Sequence, residues 1–403
     1  MSEWPLLELN ELAVDEPNSF VDGPFGSDMK TSDYVDAGVP LIRIQNVRPN
    51  QFLSKEIRYI SEAKARQLAR HEYRPGDLVI TKLGEPCGVA CVVPESAGTG
   101  VIVADIVRFR GDKRRVDHRY LSHYINSPTA ASWVAREAKG TTRQRVNLSN
   151  FRRLPVPLPS LPEQRRIAEV LDKADALRAK RRAALAQLDT LTQSIFLDMF
   201  GDPATNPKGW PIKQLAELVR GDDTINYGVV QPGDETEGGV PLVRVGDLVE
   251  GKVRRSGLKR IAPSIEAAYR RSRLRGDEIL ISCVGSIGVV ALADESVKGF
   301  NIARAVARIP LADTMNRLFV AAYLVTDHVQ RYFVNELRTV SQPTLNIKQI
   351  SETAIVTPPI EMQLEFARRV SAVQKLGAAH RQFLAEMDAL FGSLQHRVFG
   401  GAL

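Results

Sequence analysis

The chain has 403 residues, of which 44% are hydrophobic and 25% charged, a composition typical of globular protein with two to three domains. No apolar run reaches the length of a membrane span and the N-terminus lacks a signal-peptide pattern, which argues against a membrane or secreted protein. Three cysteines, at 87, 91 and 283, are too few for a disulfide framework or a zinc site, so we expect reduced thiols, no bound metal and a cytoplasmic location.

The chain repeats itself once, with a period of about 200 residues. Segment 38–43 (Gly-Val-Pro-Leu-Ile-Arg) returns at 239–244 (Gly-Val-Pro-Leu-Val-Arg), and Trp4-Pro5 returns as Trp210-Pro211. A period this long is too large for a solenoid or a propeller blade. It predicts two copies of a whole domain.

Each copy begins with a part in which strand-like and helix-like segments are mixed, which we call the mixed part. Short apolar runs follow turn residues, as strands do, and other stretches have helical spacing. The strand candidates are 78–81, 101–104, 106–109 and 279–282, and the helical candidates are 117–126 and 317–334. These patterns predict an α+β domain with a curved sheet in each copy, although they leave the strand order open.

Basic residues are concentrated in one segment of each copy, although the net charge is only +7. Residues 108–153 hold twelve Lys and Arg against three acidic residues, and 252–275 hold nine against one. Clustered positive charge indicates a polyanion partner, first of all a phosphate backbone, and the alternative is solvated surface charge. The candidate contacts in these segments are Lys113, Arg114, Arg115, Arg254 and Arg255.

Two further segments of the first copy suit contact with DNA. Loop 23–30 has small residues that allow close backbone approach, and its candidate contacts are Ser27 and Lys30; the alternative is an ordinary surface turn. Segment 140–145 is polar, basic and loop-like, and its candidates are Thr142, Arg143, Gln144 and Arg145. Arg and Gln suit bidentate contacts to bases. Arg43 lies in an apolar run, so it either contacts DNA or anchors a strand.

A long helix is predicted after the first mixed part. Ser160-Leu-Pro-Glu163 fits a capping box, and apolar residues then recur at alternating steps of three and four from Ile167 to Ile195. The second copy repeats this pattern from Phe366 to Leu394. Two equivalent helices can pair across a two-fold axis, and parallel pairing would place both globular domains at one end, so we expect an antiparallel coiled coil.

The second copy offers counterparts of the candidate contacts. Loop 226–233 corresponds to 23–30, Arg244 to Arg43, and 340–344 to 140–145. The candidate residues there are Asn226, Tyr227, Gln231, Arg244, Gln342 and Thr344. The predicted domains are 1–160 and 206–359 for the two mixed parts, and 161–205 and 360–403 for the two helices.

The motifs together resemble those of type I restriction–modification specificity subunits. Segment 23–27 (Gly-Pro-Phe-Gly-Ser) followed by 38–43 resembles that family's target recognition domain, as does 227–233 followed by 239–244. Segment 154–164 and the helix after it resemble the family's central spacer. The equivalent segment of the second copy, 355–363, keeps the prolines and the Gln but lacks the Leu-Pro-Glu-Gln sequence found at 161–164.

The resemblance implies a pseudo-two-fold protein with two target recognition domains separated by two long helices. It implies a non-catalytic subunit that reads a bipartite, asymmetric DNA target and directs adenine methylation and restriction by its partners. The implied partners are double-stranded DNA, two methyltransferase subunits and restriction (translocase–nuclease) subunits. The chain itself would bind no cofactor, because S-adenosylmethionine, ATP and Mg would be used by the partner subunits.

Two alternatives remain open at this point. One is a protein-binding scaffold without specific DNA recognition, in which the basic segments are incidental. The other concerns the aromatic helix ends, 196–200 and 391–399, which either dock methyltransferase subunits or pack against the chain's own domains. A single-chain methyltransferase is disfavoured, because the sequence lacks an Asn/Asp-Pro-Pro-Tyr/Phe stretch to hold a flipped adenine.

Overall fold

The computed structural model describes residues 4–140, 144–337 and 344–400 of the chain. The chain divides into two compact units. The first comprises Met1–Arg182 and Gln382–Leu403, and the second comprises Ala183–Arg381. Each unit therefore holds one mixed part together with a portion of both long helices.

The first unit is built from short strands and helices, followed by the long helix α5. Its strands are β1 (Leu6–Glu8), β2 (Phe20–Asp22), β3 (Tyr34–Val35), β4 (Val39–Ile42), β5 (Val47–Arg48), β6 (Gln51–Phe52), β7 (Arg58–Ile60), β8 (Glu72–Tyr73), β9 (Leu78–Thr81), β10 (Ala90–Val92), β11 (Gly100–Ile102), β12 (Ile106–Phe109) and β13 (Pro155–Pro157). Its helices are α1 (Glu62–Gln67), α2 (His118–Ile125), α3 (Pro128–Glu137), α4 (Leu148–Arg152) and the first half of α5 (Leu161–Phe200).

Two sheets form the body of the first unit. One is antiparallel with the order β10-β9-β12-β2, and the other has the order β3-β7-β4-β11-β8 with a parallel β4–β11 pair. Strands β9 and β12 are buried along their whole length. Ile80 and Phe109 face a core shared with α2, α3 and the long helices, whereas Val79 and Ile106 face a second core. Burial on both faces explains why the run of β9 is apolar without alternation, whereas β12 includes the buried Arg108 among its apolar residues.

The second unit repeats this plan with small differences. Its strands are β14 (Ile212–Gln214), β15 (Asn226–Tyr227), β16 (Val240–Val243), β17 (Leu248–Val249), β18 (Lys252–Val253), β19 (Lys259–Ile261), β20 (Ile279–Ser282), β21 (Val290–Leu292), β22 (Asn301–Ile302), β23 (Val306–Ile309) and β24 (Ala354–Val356). Its helices are α6 (Pro263–Ala268), α7 (Arg317–Leu324), α8 (Asp327–Asn335), α9 (Ile347–Ser351) and the first half of α10 (Ile360–Phe399). The main sheet has the order β15-β23-β20-β21-β18-β17, and β19-β16-β22 form a second sheet with a parallel β16–β22 pair.

The long helices pair in antiparallel fashion. In the first unit, Arg178 of α5 lies over the ring of Phe391 of α10 at 4.2 Å, and Arg181 lies over Phe383 at 5.5 Å. The residue number falls along α10 as it rises along α5, which confirms the predicted antiparallel coiled coil. In the second unit, the last turns of α5 pack through Phe196 against Phe366 near the start of α10.

The aromatic helix ends pack against the chain's own domains. Phe399 contacts Tyr120 and Tyr124 of α2, with ring centroids 5.7 and 5.4 Å apart. Phe196 and Phe200 contact Phe319 of α7 in the same way. Of the two alternatives left open by the sequence, burial within the chain therefore holds for these side chains.

A glutamine retained in both copies ties each long helix to its mixed part. Gln164 is fully buried, accepts a hydrogen bond from the Asp117 amide and donates to the carbonyls of Arg115 and Pro159. Gln363 repeats this bonding, because it accepts from the Asn316 amide and donates to the Pro358 carbonyl. A buried amide with these partners fixes the direction in which the helix leaves the domain.

The predicted α+β class is confirmed, with two local differences. The helical stretch at 317–334 is two helices, because the backbone at Thr326 is extended (φ −66°, ψ 149°) and breaks the helix. The strand expected at 101–104 ends at Ile102, since the chain turns between Val103 and Ile106, where the Ile106 amide donates to the Val103 carbonyl at 2.9 Å. Within the described ranges, no helix is long and apolar enough to cross a membrane.

Candidate nucleic-acid interface

The loops of the first unit converge at one edge of its sheets. Strand β12 begins where its antiparallel neighbours β2 and β9 end, since Ile106 pairs with Thr81 and Val107 with Asp22. The parallel strands β4 and β11 also end there, and the Val146 amide donates to the Lys82 carbonyl. We call this surface the loop edge. It comprises residues 23–30, 43–46, 82–88, 103–105 and 144–146.

The second unit has an equivalent loop edge. The Leu345 amide donates to the Cys283 carbonyl, as Val146 does to Lys82, and the Cys283 amide donates to Ala305 as Lys82 does to Asp105. The edge comprises residues 228–233, 244–247, 283–288, 303–305 and 344–345. The frame therefore repeats, and the side chains displayed on it differ.

A glycine opens the first loop of each edge because the backbone passes too close to its neighbour for any side chain. A Cβ atom on Gly23 would lie 2.0 Å from the Val103 carbonyl oxygen, and one on Gly228 would lie 1.6 Å from that of Ile302. Such distances exclude every other residue. The close approach fixes the point at which each loop leaves the sheet.

The loop 23–30 lies beside Arg43. Ser27 and Lys30 are exposed on it, and Phe25 is 76% exposed. A cleft of about 310 Å³ lies between this loop and the segments 43–45 and 103–105, and its lining includes Arg43, Gln45 and Asp105. The structure thus brings two of the candidates, loop 23–30 and Arg43, together with residues 103–105, which the sequence analysis did not single out. Gln231 is exposed on the equivalent loop of the second unit.

Arg43 and Arg244 anchor loops. The Arg43 Nη2 donates to the Glu56 carbonyl at 2.5 Å, and the Arg244 Nη2 donates to the equivalent Gly257 carbonyl at 3.3 Å. Arg244 also bonds the carboxylate of Asp247. The geometry favours the anchoring alternative for both residues, with part of each guanidinium still facing its loop edge.

The last loop of the first edge carries Gln144 and Arg145, which are both exposed. The Arg145 Nη2 donates to Asp105 Oδ1 at 2.5 Å. In the second unit, Thr344 occupies the position of Arg145, because it bridges to Val284 as Arg145 bridges to Leu83. Thr142, Arg143 and Gln342 lie outside the described residues.

Lys113, Arg114 and Arg115 are placed at the opposite end of β12 from the loop edge. They follow Phe109, the last residue of that strand, and are exposed. Arg114 forms a bidentate pair with Asp112, and Arg115 donates to the Glu11 carbonyl at 2.6 Å. The structure does not bring these three residues together with the candidate loops.

Asn226 and Tyr227 act within the fold. The Asn226 amide nitrogen donates to the carbonyls of Thr224 and Arg271, and the Tyr227 hydroxyl donates to the Leu345 carbonyl at 2.8 Å. Burial raises the pKa of Tyr227 to about 12, so its hydroxyl stays protonated as a donor. Tyr227 holds the last loop of the second edge in place.

Arg254 shares a carboxylate with Arg244. Asp247 is fully buried and accepts from Arg254 Nη2 at 2.7 Å and from Arg244 Nε at 3.1 Å. Burial alone would raise the pKa of Asp247, but the hydrogen bonds from these two arginines and from the Arg244 amide lower it below its usual value. Arg254 is thereby tied to the loop at 244–247, and Arg255 is exposed beside it.

Three charged side chains of the loop edges, those of Lys82, Asp105 and Arg304, were missed by the sequence analysis. In the first unit, Lys82 is nearly buried and its Nζ lies 2.6 Å from Asp22 Oδ2. In the second unit, Arg304 is exposed and forms no side-chain hydrogen bond within the described residues. Lys82 directly follows the apolar strand β9, and the second copy has Cys283 at the equivalent position. A charged residue in one copy and a neutral one in the other could have identified Lys82 from the sequence.

One family of proteins matches both repeats of the chain. The model described as type I restriction modification DNA specificity domain matches residues 39–187 and again residues 207–387. The two matches together cover more than half of the chain, and each includes most of one mixed part and one long helix.

Two curated relatives are similar over nearly the whole chain. The specificity subunit of the type I restriction enzyme EcoBI from Escherichia coli is 29% identical over 400 residues, covering 91% of this chain and 80% of that protein. The StySPI specificity subunit from Salmonella potsdam is 21% identical over 395 residues, covering 91% and 83%.

Two solved structures share the fold. The type I restriction–modification S subunit from M. genitalium matches with a TM-score of 0.58 at 14% identity, covering 99% of this chain and 96% of that one. A chain from a study of assembly and conformational transition in the type I restriction–modification system matches with a TM-score of 0.59 at 19% identity, covering 99% and 98%.

Proposed function

Because the chain belongs to the type I restriction modification DNA specificity family, we propose that it is the subunit that reads DNA sequence for a type I restriction–modification complex. Each loop edge reads one half of a bipartite, asymmetric target in double-stranded DNA. Adenine methylation, and restriction, are directed to that target.

The observation that carries the proposal is the loop edge itself, built twice on one frame with different side chains. Lys82, Asp105 and Arg145 of the first edge correspond to Cys283, Ala305 and Thr344 of the second. Base edges are distinguished by their pattern of donors and acceptors. Two edges that differ in these groups suit two different half-sites, which is what an asymmetric target requires.

The chemistry belongs to partners of the chain. We propose that two methyltransferase subunits bind it and supply S-adenosylmethionine, and that restriction subunits use ATP and Mg. The chain acts in the cytoplasm as a non-catalytic subunit, and its non-catalytic role is supported by the lack of an adenine-holding motif in its sequence. Its three cysteines are free and buried, and burial raises the pKa of the Cys91 and Cys283 thiols to about 12, so these two are unreactive.

Mapping N6-methyladenine across the host genome tests the proposal. Deleting the gene removes methylation from one bipartite, asymmetric motif, and restoring the full-length gene returns it. An unchanged map after deletion would overturn the proposal.

The scaffold alternative makes a different prediction. Under our proposal, the full chain with its methyltransferase partner binds duplex DNA with an affinity that falls steeply between 50 and 200 mM salt, since phosphate contacts release counterions. The methyltransferase partner without the chain binds the same duplex much more weakly. Equal affinity with and without the chain would favour the scaffold.

A further inference from the structure

Arg145 and Asp105 form an ion pair at the centre of the first loop edge. The Arg145 Nη2 lies 2.5 Å from Asp105 Oδ1, and the Arg145 side chain is 49% exposed. Only one of the five N–H donors of the guanidinium is bonded to Asp105. The described residues offer the Arg145 side chain no second hydrogen bond, so the remaining donors of this half-exposed guanidinium are available to a ligand.

The backbone of Arg145 is also held on both sides. It forms an antiparallel bridge to Leu83 and another to Lys139, with the Lys139 and Arg145 amides each donating to the carbonyl of the other. Asp105 is held in turn, because its carbonyl accepts from the Lys82 amide at 2.7 Å. A side chain positioned on a rigid backbone loses little entropy when it binds.

The pair is specific to one repeat. The residues at these positions in the second unit are Thr344 and Ala305, as the bridge to Val284 and the bond from the Cys283 amide show. Lys82 and Asp22, the other ion pair of the first edge, correspond to Cys283 and Tyr227. The first edge therefore displays paired charges where the second displays neutral groups.

A paired arginine is poorly suited to phosphate. The carboxylate of Asp105 cancels the charge of Arg145 and repels a phosphate group, so the pair adds little to the attraction for a DNA backbone. The edge of a base carries no net charge. A planar fork with two free donors matches the O6 and N7 acceptors of guanine in the major groove.

We infer that Arg145 reads a guanine in the half-site bound by the first unit, and that Asp105 is a positioning residue that aims its guanidinium. The inference rests on the proposed function, because it names the base that this loop edge selects. The second half-site has no guanine read from the equivalent position.

The test uses the full-length gene in its host, with chromosomal DNA as the pool of targets. N6-methyladenine is mapped in strains that carry the wild-type gene, Arg145→Ala, Arg145→Lys, Asp105→Asn or Asp105→Glu. Arg166→Ala is the matched control, because it removes an exposed guanidinium that is also paired with a carboxylate, that of Glu163. Thermal melting of each purified variant reports folding.

The wild-type motif contains a guanine in one half that Arg145→Ala relaxes, with discrimination at that position falling on the order of ten- to a hundred-fold. Arg145→Lys relaxes it too, since lysine lacks the fork. Asp105→Asn relaxes the same position to a smaller extent and Asp105→Glu restores it. Arg166→Ala and the other half of the motif are unaffected.

Three outcomes would overturn the inference while leaving the proposed function intact. They are a wild-type motif with no guanine in either half, an unchanged motif in Arg145→Ala, or a uniform loss of methylation over all sequences in a folded variant. A gene deletion that leaves the methylation map unchanged would instead remove the proposed function itself.

Discussion

Arg108 and Arg308 occupy equivalent strand positions, yet their surroundings differ. Arg308 is almost fully buried and pairs with Asp223 and with Glu278, the latter at 3.0 Å. Arg108 is equally buried, but its Nε and Nη1 have no hydrogen-bond partner within the described residues. Burial lowers the pKa of Arg108 to about 10, which reflects the free-energy cost of holding this charge away from water.

Replacing each arginine by methionine has opposite consequences. Among the residues that the structure describes, Arg308→Met leaves the buried Glu278 without a charged partner and Asp223 with only the pair to Arg275 at 3.5 Å, and it lowers the free energy of unfolding by about 3–5 kcal/mol. Arg108→Met removes an unpaired buried charge and leaves that free energy unchanged or raises it by about 1 kcal/mol. Urea unfolding of the two variants measures both values. Equal destabilisation by the two substitutions would refute this account.

His118 couples the stability of the first unit to pH. Its Nε2 accepts from the Gly111 amide at 2.9 Å and its Nδ1 faces the Gly76 carbonyl, so the ring is neutral. Burial lowers its pKa below the ordinary value of 6.5. The unfolded chain therefore takes up a proton first, and stability is present above about pH 6.5 and lost as the pH falls below it.

The expected result is a fall in melting temperature between pH 7 and pH 5 that is smaller in His118→Gln than in the wild type. The glutamine cannot titrate in this range, so its contribution to the slope disappears. Identical slopes in the two proteins would show that the histidine does not titrate differently on folding.

The positions of candidate residues could be predicted from the sequence better than their roles. Loop 23–30 was identified by its small residues, and loop 226–233 was identified as its counterpart in the second copy. The sequence analysis left open whether Arg43 and Arg244 anchor the chain. Each donates to a backbone carbonyl thirteen residues later, and no sequence motif marks such a bond. Asp105 was missed because its partner lies forty residues later, in a loop that only the fold brings near.

Among the elements, the ends of the two long helices pack into the core of each unit. Phe399 at the end of α10 packs on Tyr120 and Tyr124, and Phe200 at the end of α5 packs on Phe319 and Phe366. These contacts were foreseen only as one of two alternatives. An exposed aromatic cluster and a buried one have the same sequence pattern.

Phe399→Ala leaves a cavity in the core of the first unit and lowers the free energy of unfolding by about 3–5 kcal/mol. Leu390→Ala on the same helix is the control, since Leu390 is 61% exposed and its loss changes stability by less than about 0.5 kcal/mol. Denaturant unfolding distinguishes the two. A Phe399 variant as stable as the Leu390 variant would mean that the helix end is not docked.

Element types followed from apolar periodicity, and so did the bounds of the buried strands β9, β12 and β20, whereas the ends of other elements did not. Strand runs such as 78–81 were predicted correctly because both faces are buried, which leaves a continuous apolar signal. The break between α7 and α8 was missed because Val325 and Thr326 carry no glycine or proline to mark it. Gln164 and Gln363 were visible as retained residues, and their bonding to distant carbonyls needed the structure.

At the scale of the whole molecule, the two copies share a backbone frame and differ in the side chains that would determine specificity. The bonds that build the loop edges recur at equivalent positions in both units, and the side chains on those edges differ. A protein that recognises two different half-sites needs a repeated backbone frame that carries different side chains in its two copies. The central claim is that each mixed part reads its own half-site independently of the other.

A chain with two first copies tests this claim most directly. Residues 206–359 are replaced by a second copy of 1–160, which keeps both long helices, and N6-methyladenine is mapped in a host that lacks the natural gene. The reciprocal chain, with two copies of 206–359, is the control. The account predicts that the first chain methylates a motif made of the first half-site twice, and the reciprocal chain one made of the second half-site twice. A first chain that still methylates the original second half-site would contradict it.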